Sequence, residues 1–67
     1  MYVLKNETIK LIKEKYKISY IVKKSGVTRQ YIHLIVNRKR KCSFDVANKI
    51  SLALDINKSI IDFFNKI

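Results

Sequence analysis

An all-α domain of five short helices is the fold that this sequence predicts. Apolar residues recur at three- and four-residue spacing along most of the chain, the period of a helix that packs on one side. One glycine and no proline in 67 residues leave few places for the tight turns of hairpins. Lys and Leu favour helix. The β-branching of the many Ile residues would by itself lean toward strand, so the spacing decides.

The elements follow in order. From about Leu4 to Tyr16, Ile9, Ile12 and Tyr16 form one stripe, with lysines between them. Asn6 is a candidate cap for a slightly later start. The second helix runs from about Ile18 to Ser25, with Ser19 as candidate N-cap, Ile21 and Val22 inward, and Lys23 and Lys24 outward. Gly26 then stops it, being the residue best able to adopt a left-handed backbone. The third helix opens on Thr28, a good cap, with Val27 as the apolar residue before it. Ile32, Ile35 and Val36 face inward, and the helix fades near Asn37 to Arg38. Four consecutive cations, Arg38 to Lys41, come next. Ser43 caps the fourth helix, whose inner face is Phe44, Ala47, Ile50, Ala53 and Leu54, with Asp45 near the positive end of the dipole. The fifth spans about Lys58 to Asn65 and contributes Ile60, Ile61, Phe63 and Phe64. No strand is predicted.

Length and composition exclude much. A chain of 67 residues is expected to be one domain, residues 1–67, with a small core. It would bury about 60% of the surface its unfolded state exposes, with no room for a deep substrate cleft. One cysteine makes no intrachain disulfide. Cys42 and His33 together fall short of a zinc site. No nucleophile, base and acid stand at readable spacing, so no enzyme activity and no cofactor are expected. No apolar run is long enough to span a membrane, and the opening Met-Tyr-Val-Leu-Lys has no leader pattern. An intracellular protein is expected.

Fifteen cations against five anions give a net charge of +10. Such a field favours a polyanion: nucleic acid, an anionic membrane surface or an acidic protein. With 48% hydrophobic residues the chain is too apolar for a disordered basic tail. Two helices joined by a glycine-containing turn, the second opening on a cap, form a helix-turn-helix at about residues 18–37. In that motif the second helix enters the major groove and its N-terminal residues meet base edges. Inward packing of Val27, Ile32 and Ile35 leaves Arg29, Gln30, His33 and Leu34 outward. Arg can donate twice to guanine, Gln can bond adenine, and Leu can pack on a thymine methyl. Thr28 and Tyr31 are candidates for phosphate oxygens, and Arg38, Lys39, Arg40 and Lys41 would lie beside the backbone.

The chain resembles the Cro/CI-type helix-turn-helix repressors of phages and bacteria, the XRE family, over nearly its whole length. Ile12 to Ser19 is similar to the family's Leu-Arg-Glu-Glu-Lys-Gly-Leu-Ser, and Ile21 to Thr28 to Leu-Ala-Glu-Lys-Ala-Gly-Val-Ser. Asn37 to Phe44 resembles Asn-Gly-Lys-Arg-Lys-Pro-Ser-Leu, and Lys49 to Ile56 resembles Lys-Leu-Ala-Lys-Ala-Leu-Gly-Val. The resemblance implies five helices, sequence-specific binding of double-stranded DNA, a homodimer on a palindromic operator and a place in the bacterial cytoplasm. By position it puts Arg29, Gln30 and Leu34 among the base-reading residues, and Asn37, Lys39 and Arg40 among the backbone contacts. The chain departs from the family in four places. The second helix is about two residues short, leaving Ser19, Tyr20 or Lys17 where a phosphate-contacting Gln is usual. Arg38 stands where the family has glycine. Val36 removes the usual partner of the cation at Lys13, and Val22 replaces an alanine.

Two other classes fit the same residues. One is a protein-interaction module, such as an antirepressor-type factor, using its apolar tail. The other is a nonspecific DNA binder. The tail residues Ile60, Ile61 and Phe64 are the candidate dimer interface, because exposed apolar patches mark partners. Cys42 reads as a structural residue at the start of the fourth helix.

Overall fold

The computed structural model describes all 67 residues. The order is β1 (Tyr2–Leu4), α1 (Asn6–Lys15), α2 (Ile18–Ser25), α3 (Arg29–Val36), α4 (Phe44–Leu54), α5 (Ile60–Phe63) and β2 (Phe64–Lys66). Five helices stand in the predicted order. The all-α expectation is corrected, because the two ends of the chain pair as an antiparallel two-stranded sheet. Its register sets Tyr2 opposite Lys66, Val3 opposite Asn65 and Leu4 opposite Phe64. Leu4 and Phe64 are both buried, so the sheet closes one end of the core. Tyr2 also exchanges two backbone hydrogen bonds with Cys42, 2.8 and 3.0 Å, which ties the segment before α4 to the same strand.

The core is one cluster fed by every element: Leu4, Ile12, Ile21, Ile32, Ile35, Ala47, Ile50 and Phe64 are among its members. α2 packs against both α3 and α4. Each buried side-chain polar atom has a partner. The Thr8 hydroxyl donates to the Phe63 carbonyl at 2.9 Å, and the Ser51 hydroxyl to the Ala47 carbonyl at 2.8 Å. The Tyr16 hydroxyl donates to the Leu54 carbonyl at 3.0 Å, joining the end of α1 to the end of α4.

Several boundaries differ from expectation. α1 starts at Asn6, not Leu4. Its N-cap is Lys5, and Asn6 is a helical residue instead of the cap. α2 is capped at Lys17 without a side-chain bond, so Ser19 lies inside the helix and is no cap. Phe44 sits in the first turn of α4 and is 61% exposed, not core. Its ring tilts against Tyr2, with centroids 6.3 Å apart. The predicted fifth helix over residues 58–65 shrinks to Ile60–Phe63, because Phe64 is extended (φ −125°, ψ 152°) and opens β2. No helix is long and apolar enough to cross a membrane.

Candidate nucleic-acid interface

The candidate interface comprises α2, the three residues after it, α3 and the loop that follows. Gly26 ends α2 with φ +74°, a left-handed conformation that glycine adopts without a Cβ penalty. The Ser25 hydroxyl donates to the Ile21 carbonyl at 2.6 Å and accepts from the Val27 amide at 3.1 Å, bracing the turn. Val27 is buried, which draws the chain back onto the core before α3 begins. The Thr28 hydroxyl then accepts the Tyr31 amide at 3.3 Å, the predicted cap.

Burial of Ile32, Ile35 and Val36 fixes the rotation of α3. Arg29, Gln30 and His33 are consequently exposed, and Leu34 and Tyr31 are half-buried. A surface hollow of about 260 Å³ brings together Thr28, Gln30, Tyr31, Leu34 and Arg40. The Arg40 guanidinium lies over the Tyr31 ring, 5.1 Å from its centroid, a cation–π contact that draws the loop toward α3. Asn37, Lys39 and Lys41 are exposed around it.

Arg38 differs from its neighbours. It adopts φ +58°, the left-handed conformation. The Arg38 amide donates to the Ile35 carbonyl (3.1 Å) and the Lys39 amide to the Leu34 carbonyl (2.9 Å), the pair of hydrogen bonds of a glycine-type helix ending. Its Nη2 donates inward, to the Leu4 carbonyl at 2.8 Å and to Asn6 Oδ1 at 2.6 Å. Arg38 thus turns part of its donor capacity toward its own chain, unlike the freely solvated phosphate contact that the sequence suggested.

At the other end of the face, Ser19 and Tyr20 are exposed on the first turn of α2. Tyr20 stacks at a tilt on Tyr16, 6.2 Å between centroids, and Lys24 Nζ lies 5.9 Å above the Tyr20 ring. Lys15, Tyr16, Lys17 and Tyr20 line a second open hollow. Lys15 and Lys24 were not among the candidate contact residues read from sequence, although Lys24 was read as outward. The four-residue step from Tyr20 to Lys24 within α2 was the available signal for Lys24, since residues four apart on a helix are neighbours. Tyr16, by contrast, is the extended C-cap of α1 and meets Tyr20 across the junction of the two helices.

Charge is partitioned along the chain. Residues 17–41 carry eight Lys and Arg and no acid, whereas residues 42–67 carry three of each sign. The one ion pair, Lys49 to Asp45 at 3.2 Å, belongs to the neutral part. The cations from Lys17 to Lys41 have no carboxylate partner of their own.

The candidate dimer residues separate. Ile60 and Phe64 are 9% and 2% exposed and form core, so they offer no surface to a second copy. The fifth segment bends from helix to strand, which turns Phe64 inward. Ile61 is 74% exposed, at the rim of a mainly apolar hollow with Tyr2 and Phe44. No group of three or more metal-ligating side chains exists in the chain. No family model, curated protein or solved structure matches the chain.

Proposed function

We propose that this chain is a sequence-specific DNA-binding transcriptional regulator of the Cro/CI helix-turn-helix type, a repressor that occludes its operator. In this reading α2, the Gly26–Thr28 turn and α3 are the helix-turn-helix. α3 enters the major groove with Arg29, Gln30 and His33 toward base edges and Leu34 beside them. The observation that carries the reading is the outward face of α3. It presents hydrogen-bonding side chains at the opening of a capped helix, in the middle of a segment with eight cations and no acid. Base-edge contacts need such donors and acceptors, and a DNA backbone needs the unpaired cations. Thr28, Tyr31, Asn37, Lys39, Arg40 and Lys41 are the phosphate side of the same surface, with Ser19, Tyr20 and Lys17 at its far edge.

Two copies would read a two-fold operator, with half-sites about 34 Å apart. Their contact would use Ile61 and Phe44, in the neutral part of the chain where self-repulsion is least, with Tyr2 beside them. That same apolar hollow is what favours the second reading, a module acting on a protein partner.

The test is selection from a pool of randomised duplexes, followed by anisotropy titration of the enriched duplex. The wild type should enrich a palindromic site. An Arg29→Ala/Gln30→Ala double variant should lose about a hundredfold or more on that site, keep its helical circular dichroism and still bind random duplex. Equal binding of all duplexes by the wild type marks a nonspecific binder. Absence of duplex binding moves the function to a protein partner.

A further inference from the structure

We propose that Arg38 is a positioning residue that clamps the cationic loop to the N-terminal strand, instead of acting as one more phosphate ligand. Two observations raise the question. Arg38 is the only non-glycine residue with positive φ, and left-handed backbone is unfavourable for a residue with a Cβ. Gly26 meets the same need at the end of α2 with no side chain at all. A glycine at position 38 would complete the helix ending with less strain, so the side chain must supply what the backbone conformation does not.

What it supplies is a cross-link. Arg38 Nη2 holds both the Leu4 carbonyl and Asn6 Oδ1, joining the end of α3 to the junction of β1 and α1. Four residues on, Cys42 exchanges backbone bonds with Tyr2 of the same strand. The loop between them holds Lys39, Arg40 and Lys41, and both of its ends are fastened to β1. Arg40 also rests on Tyr31 of α3. The backbone that carries the three cations, and the Arg40 side chain, are therefore held in place before any ligand arrives, which removes part of the entropy cost of ordering them on binding. The functional consequence rests on the DNA-binding reading; the clamp itself does not.

Asn6 supplies a clean test, because it is uncharged and belongs to α1, away from α3. We would compare Asn6→Ala and Arg38→Gly with the wild type in two measurements. The first is amide hydrogen exchange of the DNA-free protein. Both variants should speed exchange of the Lys39 and Cys42 amides, which donate to the Leu34 and Tyr2 carbonyls, about tenfold, the loss of a hydrogen bond to a charged group, with the other core amides unchanged. The second is affinity and its salt dependence on the selected duplex. Both variants should weaken binding about threefold to tenfold. The Asn6→Ala/Arg38→Gly double variant should lose no more than Arg38→Gly alone, because both act on one clamp. Wild-type exchange in both variants overturns the proposal. So does a phosphate-ligand pattern: Asn6→Ala binding like wild type while Arg38→Gly lowers the log–log salt slope by about 0.9. If the exchange responses appear but the wild type binds no duplex, the clamp stands and the DNA reading falls.

Discussion

Single positions carry distinct physical demands here. Gly26 has φ +74° with open space where a Cβ would stand, so its requirement is conformational, not steric. Gly26→Ala should lower stability by about 1–2 kcal/mol, read as a shift in the thermal midpoint. Thr28→Ala removes the acceptor for the Tyr31 amide and should cost about 1 kcal/mol, while Thr28→Ser retains most of it in the same melt. Cys42 is fully buried, and burial pushes its thiol above the ordinary value, with the N-terminal ammonium pulling the other way. The native state therefore holds the thiol proton more tightly than the unfolded chain. Its contribution is complete below the ordinary thiol pKa of 9.0 and is lost as pH rises through the folded value. Urea midpoints measured from pH 8 upward should fall more steeply above pH 9 for the wild type than for Cys42→Ala. Gly26 and Thr28 were legible as residues, since a lone glycine followed by a cap has a local meaning. The left-handed Arg38 was not, because its compensation comes from Leu4 and Asn6, more than thirty positions away.

At the scale of elements, the helices were the legible part and the strands were not. Each of α1 to α4 shows its inner stripe within one or two turns of sequence, and that stripe sets both its existence and its rotation. The same stripe put Phe44 inside. The structure leaves it at the rim, because a position in the first turn shares the stripe's direction without sharing its depth. Three-residue strands are too short for alternation to register, and β1 finds its partner 60 to 64 positions away. The sheet's contribution is measurable. Phe64→Ala should cost about 3–5 kcal/mol, as loss of a buried aromatic, and should unfold the protein at markedly lower urea concentration. Had residues 58–65 been one solvated helix with Phe64 facing a partner, the same change would instead weaken self-association.

For the whole molecule, the decisive property is the separation of charge from apolar surface. Eight cations without a carboxylate partner lie between Lys17 and Lys41, and the exposed Phe44 and Ile61 lie in residues 42–67, which carry no net charge. If the pair of copies touches six to ten phosphates, its affinity should drop by about 10³ to 10⁵ between 50 and 200 mM salt, measured by titration at several ionic strengths. Ile61→Glu should leave the fold intact, since the side chain is 74% exposed, and reduce pairing on the two-fold duplex in sedimentation experiments. Unchanged pairing would exclude this face as the contact.

The sequence by itself determined the helices, the turn at Gly26 and the outward set Arg29, Gln30 and His33, because each follows from spacing and capping within a few residues. Only the tertiary structure decided the sheet between the chain ends, the burial of Ile60 and Phe64, the exposure of Phe44 and the inward bonds of Arg38. Those depend on which distant segments meet, and periodicity within one segment contains no information about its partner in space.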